Sequence, residues 1–201
     1  MNIIEDAKAD LHVNKRFLDR ASVMVFRINQ AAQRGSFLLA KRAGAKILDS
    51  LWLQWIVGAD LPGRAQCGPG LRMPHGGRGV TIHPNARIGE GCTIYHRVTI
   101  GGFSSDKKNV PTLGDGVYVG VGASILGRAK VRRGVRIGAG AILVGDITVG
   151  DNARIGLGTV VDEDVAPEKI LKATRRMERM LHEEPIPADR IRANFRIHDL
   201  H

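Results

Sequence analysis

The stretch "LGDGVYVGVGASILGRAKVRRGVRIGAGAILVGDITVGDNARIGLG" (residues 113–158) keeps a beat of six. Branched apolar residues stand at Leu113, Val119, Ile125, Val131, Ile137, Leu143, Val149 and Ile155. Four positions after each comes a small or apolar residue: Val117, Ala123, Ala129, Val135, Ala141, Ile147, Ala153 and Thr159. Glycine often follows the branched residue, as at Gly114, Gly120, Gly138 and Gly156. An α-helix cannot hold a strict period of six on one side. A strand alternation of two can, if a turn follows every short strand, and Gly, Asn and Asp supply the turn conformations. The branched side chains then point into a narrow core.

Working outward, the beat extends forward to Val161 and back through Ile100, Ile94, Ile88 and Ile82, then Met73, Cys67 and Leu61. About sixteen near-copies fill residues 61–165. This pattern, [LIV]-G-x-x-[small]-x, resembles the hexapeptide repeat of left-handed parallel β-helix proteins. The resemblance implies a mainly β fold, a single-stranded left-handed parallel β-helix. Three hexads make one triangular coil, and roughly six coils stack about 4.7 Å apart. It also implies a homotrimer with sites between neighbouring subunits.

Repetition alone gives a scaffold, so function is sought where the beat breaks. From Met73 to Ile82 is nine residues, an insertion of three within "HGGRG". From Ile100 to Leu113 is thirteen, through the polar "GGFSSDKKNVP", which predicts an extruded loop over 103–112. His75 is the third residue of the hexad that begins at Met73, and His96 is the third of the hexad that begins at Ile94. Those hexads are one coil apart, so the two histidines are expected at equivalent corners of adjacent coils.

The flanks read differently. Residues 1–60 are expected to be helical, with Leu11, Phe17, Leu18, Ala21, Val25 and Ile28 as an apolar face and Ser36 as a second helix's N-cap. Trp52 and Trp55, three apart, are placed on one face that packs in the core or in a trimer contact; the alternative for that face is peripheral membrane association. Residues 166–201 are expected to form a C-terminal helix with Pro167 in its first turn, then a basic tail.

Composition narrows the classes. With 30 Lys+Arg against 20 Asp+Glu, the chain carries a formal charge of +10, which favours an anionic partner. Aromatics are 4% of residues and no nucleic-acid reader motif is present, so no nucleic-acid partner is expected. Cys67 and Cys92 make no disulfide framework, and a cytoplasmic setting without a signal peptide is expected. The longest apolar run, residues 50–59, is too short to span a bilayer. The histidines show no paired ligand spacing, so no metal is expected.

At "DLPGRAQCGPGLRMPH" (60–75) the resemblance sharpens to the serine acetyltransferase family. That family has a carboxylate fifteen residues before its catalytic histidine, as Asp60 stands to His75. "YHRVTIGG" (95–102) and "VYVGVGASILG" (117–127) resemble two further segments of it. The resemblance implies acetyl-CoA as co-substrate, His75 as general base and Asp60 as its orienting carboxylate. It implies CoA contacts at Gly101, Gly102, Ala123 and Ala141. His96 and Asn109 become acceptor-binding or supporting residues.

Two departures bear on the acceptor. Pro74 stands where the family has Asp, and Asn109-Val110-Pro111 stands where it has Arg-His-Pro, so the charged grip on free serine is reduced. Colanic-acid-type polysaccharide O-acetyltransferases resemble the chain more closely, with a short aromatic helical N-terminus and a histidine at the place of His96. The expected function is therefore acetyl-CoA-dependent O-acetyl transfer to a saccharide hydroxyl. The alternatives are serine O-acetyltransferase, with a small hydroxyl acceptor, and a non-catalytic β-helix scaffold.

Overall fold

The structure is a computed structural model that describes residues 3–34, 39–102 and 109–172. Ser36, the segment 103–108, most of the expected C-terminal helix and the basic tail lie outside them.

Three parallel five-stranded sheets wrap around one core and form the left-handed β-helix. The first face stacks the rungs that start at Gln66, Arg87, Thr112, Lys130 and Thr148. The second stacks Thr93, Tyr118, Arg136, Arg154 and Ile170. The third stacks Thr81, Thr99, Ser124, Ile142 and Val160. An isolated bridge adds one rung to each face: Val165 to the first, Arg72 to the second, Asp60 to the third.

Regular coils pair residues 18 apart, as Thr112↔Lys130 and Arg136↔Arg154. The register is 21 at Asp60↔Thr81 and Arg72↔Thr93, which locates the three-residue insertion inside one corner. It is 25 at Arg87↔Thr112 and Thr99↔Ser124, across the second break. Every branched position from Ile82 to Val161 is buried, and so are the small positions except the half-buried Thr159. Each fully buried Val, Leu or Ile contributes about 1.5–3 kcal/mol, so the regular repeat is itself the stability of the fold.

The chain's end departs from expectation. Residues 166–172 are a turn followed by a strand, Ile170–Leu171, and not the start of a helix. Val165 pairs with Val149 and Leu171 with Ile155, each 16 residues on. The last coil is two residues short, and Val165 fills a wall position rather than the small one. Leu171, half-buried, packs onto the core as the final wall residue.

The N-terminal segment holds α1 (Ile3–Val13), α2 (Phe17–Arg34), α3 (Leu39–Leu48) and a π-helix (Asp49–Val57). The expected apolar face is only partly the buried one: Phe17 is 79% exposed and Ile28 is exposed, while Asp10, Asn14, Asp19, Arg27 and Gln30 are buried. The reason is what these helices cover. The first coil is an open end with unpaired backbone groups, which must find partners when buried. Arg27 donates to the carbonyls of Cys67 and Gly68, Gln30 to that of Ala65, and Asn14 to that of Leu71. Asp10 accepts from the Leu71 N–H and Asn14 from the Met73 N–H. Arg27 is itself held by Asp10 at 2.7 Å.

Trp52 and Trp55 do not share a face. A π-helix hydrogen-bonds from i to i+5, so a spacing of three no longer superposes side chains. Trp52 packs against the core and donates to Ser22 Oγ, whereas Trp55 is 85% exposed. Among the described residues no helix is long and apolar enough to cross a membrane.

Candidate active site

The insertion forms the corner between the second and third faces. Pro74–Gly77 is a tight turn in which His75 (φ 60°, ψ 27°) and Gly76 (φ 70°, ψ 13°) are left-handed. Left-handed backbone costs a non-glycine residue of order 1 kcal/mol, so the surroundings must hold His75 there. α2 does so. The Gly76 N–H donates to Asp19 Oδ1 at 2.7 Å, and Gly76 lies so close to Leu18 that a side chain there would collide with it.

Two histidines meet at this corner. The His75 and His96 rings are 4.9 Å apart and nearly perpendicular, as the hexad count places them. Tyr95 lies 6.4 Å from His75 and 5.4 Å from Tyr118, whose ring carries Arg136 at 4.5 Å. Burial lowers the His96 pKa from its ordinary value, and His75 and Arg97 add to that, so its ring is neutral near pH 7. Among the described residues His96 Nδ1 is buried from solvent and has no hydrogen-bond partner, an unsatisfied polar atom at this corner.

A cleft of about 200 Å³ opens at His75, lined by Lys15, Arg16, Asp19, Arg72, Pro74 and Tyr95 among others. Sequence reasoning missed Asp19, Arg72 and the two basic residues. Arg72 had a signal, as an outward position just ahead of the insertion. Asp19 had none, because nothing in the helical pattern distinguishes it.

The remaining expected residues are distributed over more than one corner. Asp60 pairs with Thr81 and donates its N–H to the Val80 carbonyl, beside the end of the insertion. Its side chain is exposed, and among the described residues no hydrogen bond joins it to His75. It contributes to raising the Asp49 carboxyl above its usual range, where burial is the larger cause. Gly101 ends the Thr99–Gly101 strand, with open space where a side chain would project, and Gly102 follows it. Both lie at the far edge of the third face from His96. Asn109 stands near that same edge, just before Thr112, which already belongs to a first-face strand rather than to the loop.

Ala123 and Ala141 sit on the His96 corner line, one and two coils on. Both are fully buried, and their carbonyls are taken by Thr99 and Ser124. The neighbouring Gly122 and Gly140, by contrast, face open space. Among the described residues no three His, Cys, Asp or Glu side chains converge as metal ligands.

No protein-family model matches the chain. It is 36% identical over 107 residues to a serine acetyltransferase of Helicobacter pylori, covering 53% of this chain and 59% of that protein. It is 38% identical over 100 residues to one of Mycobacterium tuberculosis, covering 49% and 41%. The chain thus spans less than two thirds of these relatives. Among solved structures it is similar to Neisseria gonorrhoeae serine acetyltransferase in complex with serine, with TM-score 0.59, 28% identity, and coverage of 84% and 65%. It is also similar to soybean serine acetyltransferase, with TM-score 0.61, 26% identity, and coverage of 86% and 66%. These likenesses support the hexapeptide-repeat acyltransferases as the class. They give no support to the closer resemblance to polysaccharide O-acetyltransferases.

Proposed function

We propose that this chain transfers an acetyl group from acetyl-CoA to a hydroxyl, with serine or a similarly small hydroxyl amino acid as acceptor. The observation that carries the reading is the cleft at His75. Its volume suits a small molecule better than a sugar chain, and it sets a carboxylate, Asp19, among cations around an imidazole. A zwitterion with a hydroxyl matches that set. The serine acetyltransferase relatives point the same way.

In this reading His75 takes the hydroxyl proton as the oxygen attacks the thioester carbon, and neutral imidazole suits that step near pH 7. The tetrahedral oxyanion is held by a backbone N–H, then collapses with cleavage of the C–S bond, and His75 returns its proton to the departing CoA sulfur. Asp60 is the orienting carboxylate, which must turn toward His75 when reactants bind. His96, its ring 4.9 Å from that of His75, helps to position the acceptor. Acetyl-CoA lies along the glycine-lined corner at Gly122 and Gly140, with Ala123 and Ala141 keeping that corner narrow.

Gly101, Gly102 and Asn109 lie a prism edge away from His75. They join the site if three chains pack as a trimer, so that one subunit's edge faces its neighbour's histidines. A saccharide acceptor is the second reading, favoured by Pro74 and by Asn109-Val110-Pro111 in place of charged residues.

The test is release of free CoA thiol from acetyl-CoA with serine or with a glycan panel. Wild type is expected to be saturable with serine, and His75→Ala to lose turnover. Near-normal turnover by that variant overturns the mechanism, and glycan-only activity overturns the acceptor.

A further inference from the structure

The corner between the second and third faces repeats one backbone device. Its left-handed residue is Gly79 (φ 66°), Arg97 (φ 58°), Gly122 (φ 66°), Gly140 (φ 64°) and Gly158 (φ 61°) in successive coils. Arg97 alone in this column has a side chain. Its amide performs the same task as the glycines': Arg97 N–H donates to Arg78 O, as Gly122 does to His96 O, Gly140 to Val121 O and Gly158 to Ala139 O. The fold therefore asks for glycine at 97, and the guanidinium serves something else.

Three observations say what. The stem of Arg97 runs back over Gly79, where a Cβ would lie 3.3 Å from Arg97 Cγ, and so toward the coil that carries His75. The side chain is exposed, and among the described residues no carboxylate pairs with it. Its charge also reaches the His96 ring. Meanwhile the segment 109–111 offers no cation.

We propose that Arg97 is a specificity-determining residue that holds the acceptor's carboxylate beside His75 and His96. This rests on the acetyl-transfer reading above. A guanidinium fork matches a carboxylate with two parallel hydrogen bonds, and the strained backbone fixes where the fork begins.

The test compares wild type, Arg97→Gly and Arg97→Lys in steady-state acetyl transfer to L-serine and to serinamide, which lacks the carboxylate. Arg97→Gly should raise KM for serine about tenfold or more, as loss of a charge-assisted pair does. KM for acetyl-CoA and the kinetics with serinamide should stay unchanged. Arg97→Lys should fall between. The thermal midpoint of Arg97→Gly should match or exceed wild type, since glycine is at home in that backbone, so a folding defect in this variant overturns the proposal. An unchanged KM for serine also overturns it and leaves the acetyl-transfer reading intact. A rise in KM for acetyl-CoA instead assigns the cation to the cofactor's phosphates, and equal losses with serine and serinamide assign it no carboxylate; either result overturns the proposal. Wild type active only on neutral glycans removes Arg97's role and keeps acetyl transfer. Wild type that releases no thiol with any acceptor fails the functional reading itself, and the Arg97 role falls with it.

Discussion

At the scale of single residues, backbone strain and side-chain chemistry can be separated at His75. Both His75→Ala and His75→Gly should be inactive. Only the glycine variant relieves the left-handed strain, so it should be the more stable by about 1 kcal/mol. Thermal melts of the two variants check this, and equal midpoints would mean that His75 is not strained. His96 gives a pH prediction. Its pKa is lowered in the fold from an ordinary 6.5, so the unfolded chain binds the proton more readily. The stability His96 contributes is complete above about pH 6.5 and is lost as pH falls from there toward its lower folded value. His96→Gln should flatten that part of a midpoint-against-pH curve. The histidine pair was legible because a strict repeat makes residue number a coordinate. Asp19 and Arg97 were not: Asp19 lies outside the repeat, and Arg97 is indistinguishable from other exposed arginines until its φ is known.

At the scale of elements, the sequence misled where it assumed that buried helix faces are apolar. α1 and α2 cover the end of a β-helix, a surface of backbone N–H and C=O groups, so the face that fits it is polar. Arg27 ties this contact together, bonding Asp10, Gln30 and two carbonyls. Burial raises the Asp10 carboxyl, against the opposing pull of Arg27. Arg27→Ala would take the guanidinium away from that carboxylate and remove its hydrogen bonds to the Cys67 and Gly68 carbonyls. Breaking a buried pair from one side typically costs about 3–5 kcal/mol, and a loss of that size is expected in urea unfolding. A loss under about 1 kcal/mol, the size of an exposed pair, would show that the helices dock by other means. At the other end, the last coil's missing two residues broke the beat after Val161, and a proline with charges then resembled a helix start.

At the scale of the whole molecule, the question is whether one chain contains a complete site. His75 and His96 stand on one edge of the prism, and Gly101, Gly102 and Asn109 on another. Ile142 and Val160, in register on the third face between those edges, are exposed apolar residues that a second copy could cover. A trimer would bring one subunit's histidine edge against its neighbour's glycine edge. Light scattering should then give three times the 21.8 kDa chain mass. Subunit mixing is the sharper measurement. His75→Ala removes the base, and Gly102→Trp blocks the glycine edge that would face the neighbour's histidines; each is expected to be inactive alone. If the site is shared, trimers refolded from an equal mixture contain interfaces with an intact His75 from one subunit and an intact Gly102 from the next. With random association and cyclic symmetry, about a quarter of the interfaces are of this kind, so about a quarter of wild-type activity should return. If each site lies within one chain, every subunit in the mixture carries a defect and no activity returns.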